Sequence, residues 1–222
     1  MATKILIVDD HPMTVAAYVN LLTEINLGPF PAKFITAYTC EQAYNMINIQ
    51  NTMETPIDLA LLDVSLPSFV LQNIMDGVDI GKHLRKRMPD CKIIIQTMHS
   101  EPLRIDNIIN QLSPEGFISK NDIDFESFPK ICQRIMNGDI YYSHTIEQAR
   151  EEFAKFDIDF DLHDNKILNL LSQGVKTINL PDYIPLSLST IEKRKATIKD
   201  QLLQGKGSDL ELLQKARKLG LI

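Results

Sequence analysis

Long hydrophobic runs are missing from this sequence; the longest are strand-sized, so no stretch is a candidate membrane span. Cysteine is scarce. Cys40, Cys91 and Cys132 are odd in number and far apart, which excludes both a disulfide framework and zinc-ligand spacing. The opening Met-Ala-Thr-Lys runs straight into an apolar stretch without a secretory pattern, so a cytoplasmic protein is expected. Broad basic charge is also missing, with a net charge of −6. The deficit is uneven. Residues 1–156 carry 13 Lys and Arg against 20 Asp and Glu, whereas residues 157–222 carry 10 against 9. A nucleic-acid footprint would therefore be local and lie in the second half. The imbalance points to two domains with different partners, and 222 residues leave room for two small ones. Neither repeats nor low-complexity tracts are visible.

What is present is an alternation of strand and helix signals over the first ~125 residues, as expected of βαβ units. Apolar runs at 4–9, 33–38, 57–62, 92–97 and 115–119 read as strands. Helical stretches fall at 12–26, 40–51, 77–88, 101–112 and 126–137. Thr39-Cys40-Glu41-Gln42 has capping-box spacing, and Leu27-Gly28-Pro29 and Met88-Pro89 are stop signals. Near-continuous apolar strands fit a sheet covered on both faces. The expectation is an α/β, flavodoxin-like, doubly wound, five-stranded parallel domain over 1–138. A linker over 139–160 follows, with Tyr141-Tyr142-Ser143 extended and a possible connecting helix from Ile146 to Phe156. Asp157, Asp159 and Asp161 alternate with Ile158, Phe160 and Leu162, as a solvated linker or a short strand would.

Residues 161–222 read as a small all-α, four-helix, helix-turn-helix domain. Helices are expected near 164–172, within 176–183, over 188–204 and from Ser208, with a turn at Pro185-Leu186-Ser187 and a break at Gly205-Lys206-Gly207. Pro181 lacks an N–H, so the second helix is predicted to start around 179–181, after a loop.

The chemistry sits where the strands stop. Asp9-Asp10 ends the first, Asp63 the third, Thr97 the fourth, and Lys120 the fifth. Ligands of open α/β sheets bind outside the strands' carboxyl ends, so these groups can converge. Singly each is ordinary, and Asp10 also reads as a cap for the following helix. Jointly, three carboxylates, a hydroxyl and an ammonium suit Mg²⁺-assisted phosphoryl transfer onto an aspartate, because Mg²⁺ prefers oxygen ligands and offsets clustered negative charge.

That order, together with the opening Ile-Leu-Ile-Val-Asp-Asp-His-Pro, resembles the CheY-like receiver domain of two-component response regulators over residues 1–138. The resemblance implies that Asp63 is the phosphoacceptor, with a histidine kinase as donor. It implies that Asp10 binds Mg²⁺ directly, Asp9 through water, and Val64 through its backbone carbonyl. Thr97 would bond the phosphoryl group and Lys120 would pair with it. Phe117 would be a switch aromatic moving with Thr97; read alone, it is a core residue of its strand. The chain departs from the family by about six extra residues over 68–75 and by Asn121 where many receivers have proline.

The second half is similar to LuxR-type output domains. The register is carried by Gly174, Leu180, Ile184, Leu186-Ser187, Thr190-Ile191, Leu202 and the closing Ala-Arg-Lys-Leu-Gly-Leu-Ile. The resemblance implies duplex DNA as partner, with two routes by which phosphorylation could activate: formation of a homodimer, or release of the DNA-binding domain. Ser187 would cap the groove helix, Ser189 and Thr190 would bond a phosphate, and Lys193, Arg194, Lys195 and Lys199 would face bases and phosphates. Asp164, Lys166 and Pro181 depart from the pattern. The result is a transcriptional regulator rather than an enzyme. A protein-interaction or dimerisation module that does not read DNA stands as its alternative. An aspartate-nucleophile phosphatase is disfavoured, because Ser65 stands where such enzymes place a second Asp.

Overall fold

Chain-order alternation of apolar strands with amphipathic helices produces the sheet seen in the computed structural model, which describes all residues except Met1, Asn26, Gly28, Pro29, 157–159 and Lys206. The stop signal at Gly28-Pro29, the Asp157–Asp159 alternation and part of the Gly205–Gly207 break lie outside the described residues. Two compact units emerge, one of residues 1–100 and 107–147, the other of 101–106 and 148–222.

In the first unit the strands are β1 (Lys4–Val8), β2 (Lys33–Ala37), β3 (Leu59–Asp63), β4 (Lys92–Thr97), β5 (Gly116–Ser119) and β6 (Tyr141–Tyr142). The sheet runs β2-β1-β3-β4-β5-β6 with every pairing parallel. The helices are α1 (Pro12–Thr23), α2 (Cys40–Thr52), α3 (Gly77–Arg87) and α5 (Ser127–Met136), while α4 (Pro102–Leu112) and α6 (His144–Phe153) each contribute residues to both units. Side chains alternate across a strand. Ile5, Ile7, Leu59, Leu61, Ile94 and Ile118 therefore share one face, packed on Val15, Tyr18 and Leu22 of α1 and on Phe128, Ile131 and Ile135 of α5.

The sixth strand goes beyond the five expected. Its two residues pair with Gly116 and Phe117, and the Ser143 amide donates to the Phe117 carbonyl at 3.0 Å. Asp122 ties the segment down. Its carboxylate accepts from Ser143 Oγ at 2.6 Å and from the Thr145 amide and hydroxyl at 2.7 Å each, while Ser143 Oγ accepts the Ser119 amide at 2.9 Å.

Asp10 does not cap α1; His11 occupies that position without a side-chain cap, and Pro12 begins the helix. The expected capping box at Thr39 is half formed. Thr39 Oγ1 accepts the Gln42 amide, but Gln42 Oε1 accepts from Tyr38 rather than from Thr39.

The second unit holds α7 (Leu162–Ser172), a 3₁₀ segment (Thr177–Asp182), α8 (Leu188–Leu203) and α9 (Asp209–Leu219). Ile167, Leu168, Leu180, Ile184, Ile191, Ile198, Leu202, Leu212 and Leu219 form its core. The helix predicted to start at 179–181 is corrected: a 3₁₀ segment starts at Thr177 and contains Pro181. Each 3₁₀ bond spans only three residues, so Pro181 removes one donor late in a short run instead of breaking an α-helical ladder.

Candidate functional site

Each site residue is set by a strand end. Asp9 follows β1, and its Oδ1 accepts the His11 amide at 2.9 Å, which fixes the carboxylate before α1 begins. Asp63 is the last residue of β3, and Lys120 follows β5, with its amide bonded to the Thr97 carbonyl at 2.8 Å. Lys120 Nζ then lies 2.7 Å from Asp9 Oδ2 and 3.1 Å from Asp63 Oδ2. Both carboxylates are nearly sealed, with side-chain exposures of 1% for Asp9 and 6% for Asp63. One ammonium thus bridges two buried acids.

Burial pushes the Asp63 carboxyl above its ordinary range; the Lys120 charge opposes this and Asp9 reinforces it. Burial opposes the Lys120 charge, but the hydrogen bond to Asp9 and the field of both carboxylates outweigh it and raise the amine. Tyr18 is pushed well above its ordinary value by burial, then by Asp9 and Asp63, so its phenol stays protonated. Gln96, the residue in register with Asp63, is buried, and its amide nitrogen has no hydrogen-bond partner among the described residues.

Asp10 is more open, at 35% exposure, and its Oδ1 lies 2.7 Å from His11 Nδ1. Asp9, Asp10 and His11 offer ligand atoms within 4.8 Å of one another. Thr97 is buried, and its hydroxyl accepts the His99 amide at 2.9 Å, leaving its own proton available. Phe117 is fully buried, edge-on to Tyr142 at 6.4 Å between centroids.

One expected ligand fails on hydrogen bonding. The Val64 carbonyl accepts the Leu66 and Gly77 amides, each at 3.1 Å, and Val64 is fully buried. Both its lone pairs are taken, so it has none for a cation. The neighbouring Ser65 is exposed and its carbonyl accepts no hydrogen bond among the described residues. Ser65 Oγ also lies 3.3 Å from His99 Nε2. The sequence reading gave no site role to His11, Tyr18, Gln96 and His99, and used Ser65 only to set a phosphatase aside. Gln96 alone left a signal, as a polar residue inside an apolar strand.

The extra loop residues fold back as a small hairpin. Phe69 and Ile74 exchange backbone hydrogen bonds of 2.8 and 3.2 Å around a 3₁₀ turn (Val70–Gln72), and Val70, Leu71 and Met75 are exposed. Tyr44 of α2 packs edge-on against Phe69 at 5.7 Å.

In the second unit Ser187 caps α8, accepting the Thr190 amide at 3.3 Å and lying 3.1 and 2.8 Å from the Ser189 and Thr190 hydroxyls. The four basic residues are not equivalent. Lys193 is exposed. Arg194 lies 2.9 Å from both Asp161 and Asp164 at the start of α7. Lys195 is held by Asp209 and the Thr177 hydroxyl, and Lys199 by Asp209 at 2.7 Å and the Gly207 carbonyl at 3.2 Å.

These features agree with known proteins. The response regulator receiver domain matches residues 5–132. The transcriptional regulatory protein RcsB of Salmonella typhi is 22% identical, covering 95% of this chain and 92% of its own length. The transcriptional regulatory protein ComA of Bacillus subtilis is 25% identical, covering 96% of this chain and 97% of its own length. A solved structure of RcsB from Salmonella enterica serovar Typhimurium, bound to promoter P1flhDC in the presence of the phosphomimetic BeF₃⁻, has the same fold. Its TM-score is 0.67 at 19% identity, over 99% of this chain and 100% of the other. With the receiver matching more than half of its 222 residues, this chain belongs to the response regulator family.

Proposed function

We propose that this chain is a phosphorylation-dependent transcriptional regulator whose receiver takes a phosphoryl group from a histidine kinase onto Asp63. The observation that carries the reading is Lys120 bridging buried Asp9 and Asp63 at the carboxyl ends of three strands. An Asp63 oxygen attacks phosphorus, and the P–O bond forms as the P–N bond to the donor histidine breaks. Lys120 turns from the carboxylate to the phosphoryl oxygens, and the Thr97 hydroxyl donates to another. Phe117, on the strand that pairs with β6, is the aromatic that responds.

The donor set fits Mg²⁺. Two buried carboxylates share one ammonium with Asp10 next in the chain to Asp9, the oxygens are hard, and burial disfavours the ionised Asp63 until another cation is near. Asp10 would hold Mg²⁺ directly, Asp9 through water, and the free Ser65 carbonyl takes the part first expected of Val64. When bound, the ion neutralises charge on the incoming phosphoryl group. Phosphorylation adds charge and strong acceptors at the strand ends, and it favours homodimers that place α8 in the major groove of duplex DNA. A cytoplasmic location goes with this reading.

The test is intact-mass analysis after treatment with a small phosphodonor and Mg²⁺. The wild type should gain one acid-labile phosphoryl group and Asp63→Asn none; label on Asp63→Asn overturns the assignment. A second reading, an output unit that binds protein or dimerises without touching DNA, is favoured by the ion pairs that occupy Arg194, Lys195 and Lys199. Salt-dependent binding to duplex DNA separates the two.

A further inference from the structure

The residues of α8 sort by angle around the helix. Ile191, Ile198 and Leu202 are buried and mark the core side. Ser189, Glu192, Lys193 and Ala196 recur at the i, i+3, i+4, i+7 spacing of one face, turned away from the core, and all four are exposed. Arg194, Lys195 and Lys199 stand on the flanks between these sides. Each is part-buried, and each spends its charge on a carboxylate of α7, of α9, or of the residue just before α7. The flanking cations therefore staple the unit together. The outward face keeps one ammonium, Lys193, and two carboxylates, Glu192 in the N-terminal half and Asp200 near the C-terminal end; Glu192 has no hydrogen bond or ion pair among the described residues.

A recognition helix reads base edges with residues of its N-terminal half, and Glu192 is the fifth residue of α8. A carboxylate there is repelled by phosphates, so it is tolerated only where a donor compensates it. It accepts hydrogen bonds and cannot donate. Guanine offers it two acceptors in the major groove, thymine an acceptor and a methyl group, and adenine a donor beside the N7 acceptor. Cytosine alone presents an amino donor with no adjacent acceptor.

We propose that Glu192 is a specificity-determining residue, selecting a C·G pair by accepting a hydrogen bond from the cytosine amino group, while Lys193 beside it supplies the phosphate or guanine contact. This rests on the DNA-binding reading above and adds to it the base that is read. It also implies weak sequence-independent binding, since three of the four cations on this helix are already neutralised within the protein.

The experiment is selection from a random duplex pool with the full-length, Asp63-phosphorylated chain, comparing wild type, Glu192→Ala and Glu192→Gln. Glu192 is exposed, so neither substitution disturbs the core. The wild type should enrich a motif with one position fixed as C·G, replacement there costing roughly 5- to 150-fold in affinity, the usual range for one mismatched pair. Glu192→Ala should lose the preference at that position only. Glu192→Gln should move it toward A·T, because an amide pairs with adenine N6 and N7 together. A wild-type motif without the fixed C·G pair, or one motif shared by all three proteins, overturns the assignment while DNA binding stands. A wild type that labels normally at Asp63 yet enriches no motif overturns both this inference and the reading beneath it.

Discussion

Replacing Lys120 with Met should destabilise the receiver severely, and the loss should be recoverable from the opposite charge. Among the described residues Lys120 is the one ammonium between Asp9 and Asp63, carboxylates only 1% and 6% exposed. Removing one partner of a buried ion pair typically costs ~3–5 kcal/mol, because the other charge is left without compensation. Here two carboxylates lose their cation together, so Lys120→Met should fall toward the upper end of that range. Met preserves the apolar stem, and the Lys120 amide bond to the Thr97 carbonyl is backbone and survives. Asp63→Asn alone should stabilise the metal-free protein by about 1 kcal/mol, since the ionised Asp63 is held against burial. Added to Lys120→Met, it should recover most of the loss. The assay is urea unfolding followed by circular dichroism, with EDTA or with Mg²⁺. At Mg²⁺ one hundred times its Kd, a site bound only in the folded state adds ~2.7 kcal/mol, and the gain should be larger in Lys120→Met. The pH dependence has a definite sign. Without the ammonium the Asp63 carboxyl rises further, so the folded form takes up a proton before the unfolded one. The defect should be full at neutral pH and shrink as pH falls into the carboxylate range. Lys120→Met within about 0.5 kcal/mol of wild type in EDTA would refute the reasoning.

Four further outcomes follow from the structure. Lys193→Ala should weaken DNA affinity about evenly across sequences and reduce the salt slope by roughly one unit if it contacts phosphate. Lys195→Ala should instead lower the urea midpoint, because it breaks the link to Asp209 and Thr177. Equal salt slopes for Lys193→Ala and wild type would remove Lys193 from the interface. Asp122→Ala should speed hydrogen exchange at the Thr145 amide. The same exposure should appear in the wild type at acid pH: burial raises this carboxyl, the bonds from Ser143 and Thr145 outweigh that and depress it, and their support is lost as pH falls below the ordinary carboxylate value of ~3.9. Unchanged exchange in Asp122→Ala would show the tie to be dispensable. Pro181→Ala should shift stability by less than about 1 kcal/mol, because the N–H it restores is offset by the freedom it returns to the unfolded chain. A larger stabilisation would show that Pro181 strains the 3₁₀ segment.

The strands were legible because buried parallel strands are apolar runs, and a run advertises its own end; Asp9, Asp63, Thr97 and Lys120 could be located from that alone. What escaped depends on partners distant in sequence. β6 is two residues long, too short for any period to show, and exists because Phe117 and Asp122 supply its bonds. The Val64 carbonyl looked free because no pattern in the sequence reveals that the Leu66 and Gly77 amides fold back onto it. Helical periodicity does show that Lys193 lies opposite Ile191, Ile198 and Leu202. It cannot show that Asp161, Asp164 and Asp209 come forward from elsewhere to engage the other three cations. Pro181 was recognised as a constraint, but no local signal separates a late-starting α-helix from the 3₁₀ segment that begins at Thr177 with Leu180 and Ile184 in the core.

Gly77 has an evolutionary consequence. A Cβ there would sit 1.8 Å from the Asp63 carbonyl oxygen, so the chain must re-enter α3 through a residue without a side chain. Upstream, the Val64 amide is bonded to the Gln96 carbonyl at 2.9 Å and the Pro67 carbonyl to the Cys40 amide at 3.0 Å. Both roots of the 68–75 hairpin are thereby pinned to the scaffold, while its middle presents Val70, Leu71 and Met75 to solvent. Such a segment behaves as a replaceable cassette. Insertions, deletions and grafts between Pro67 and Asp76 can diversify what meets the rim of the phosphorylation site while the nucleophile keeps its position. Lineages can then change partners at this loop without re-evolving the chemistry, and a chimera that exchanges only these residues is the natural unit for redirecting the protein.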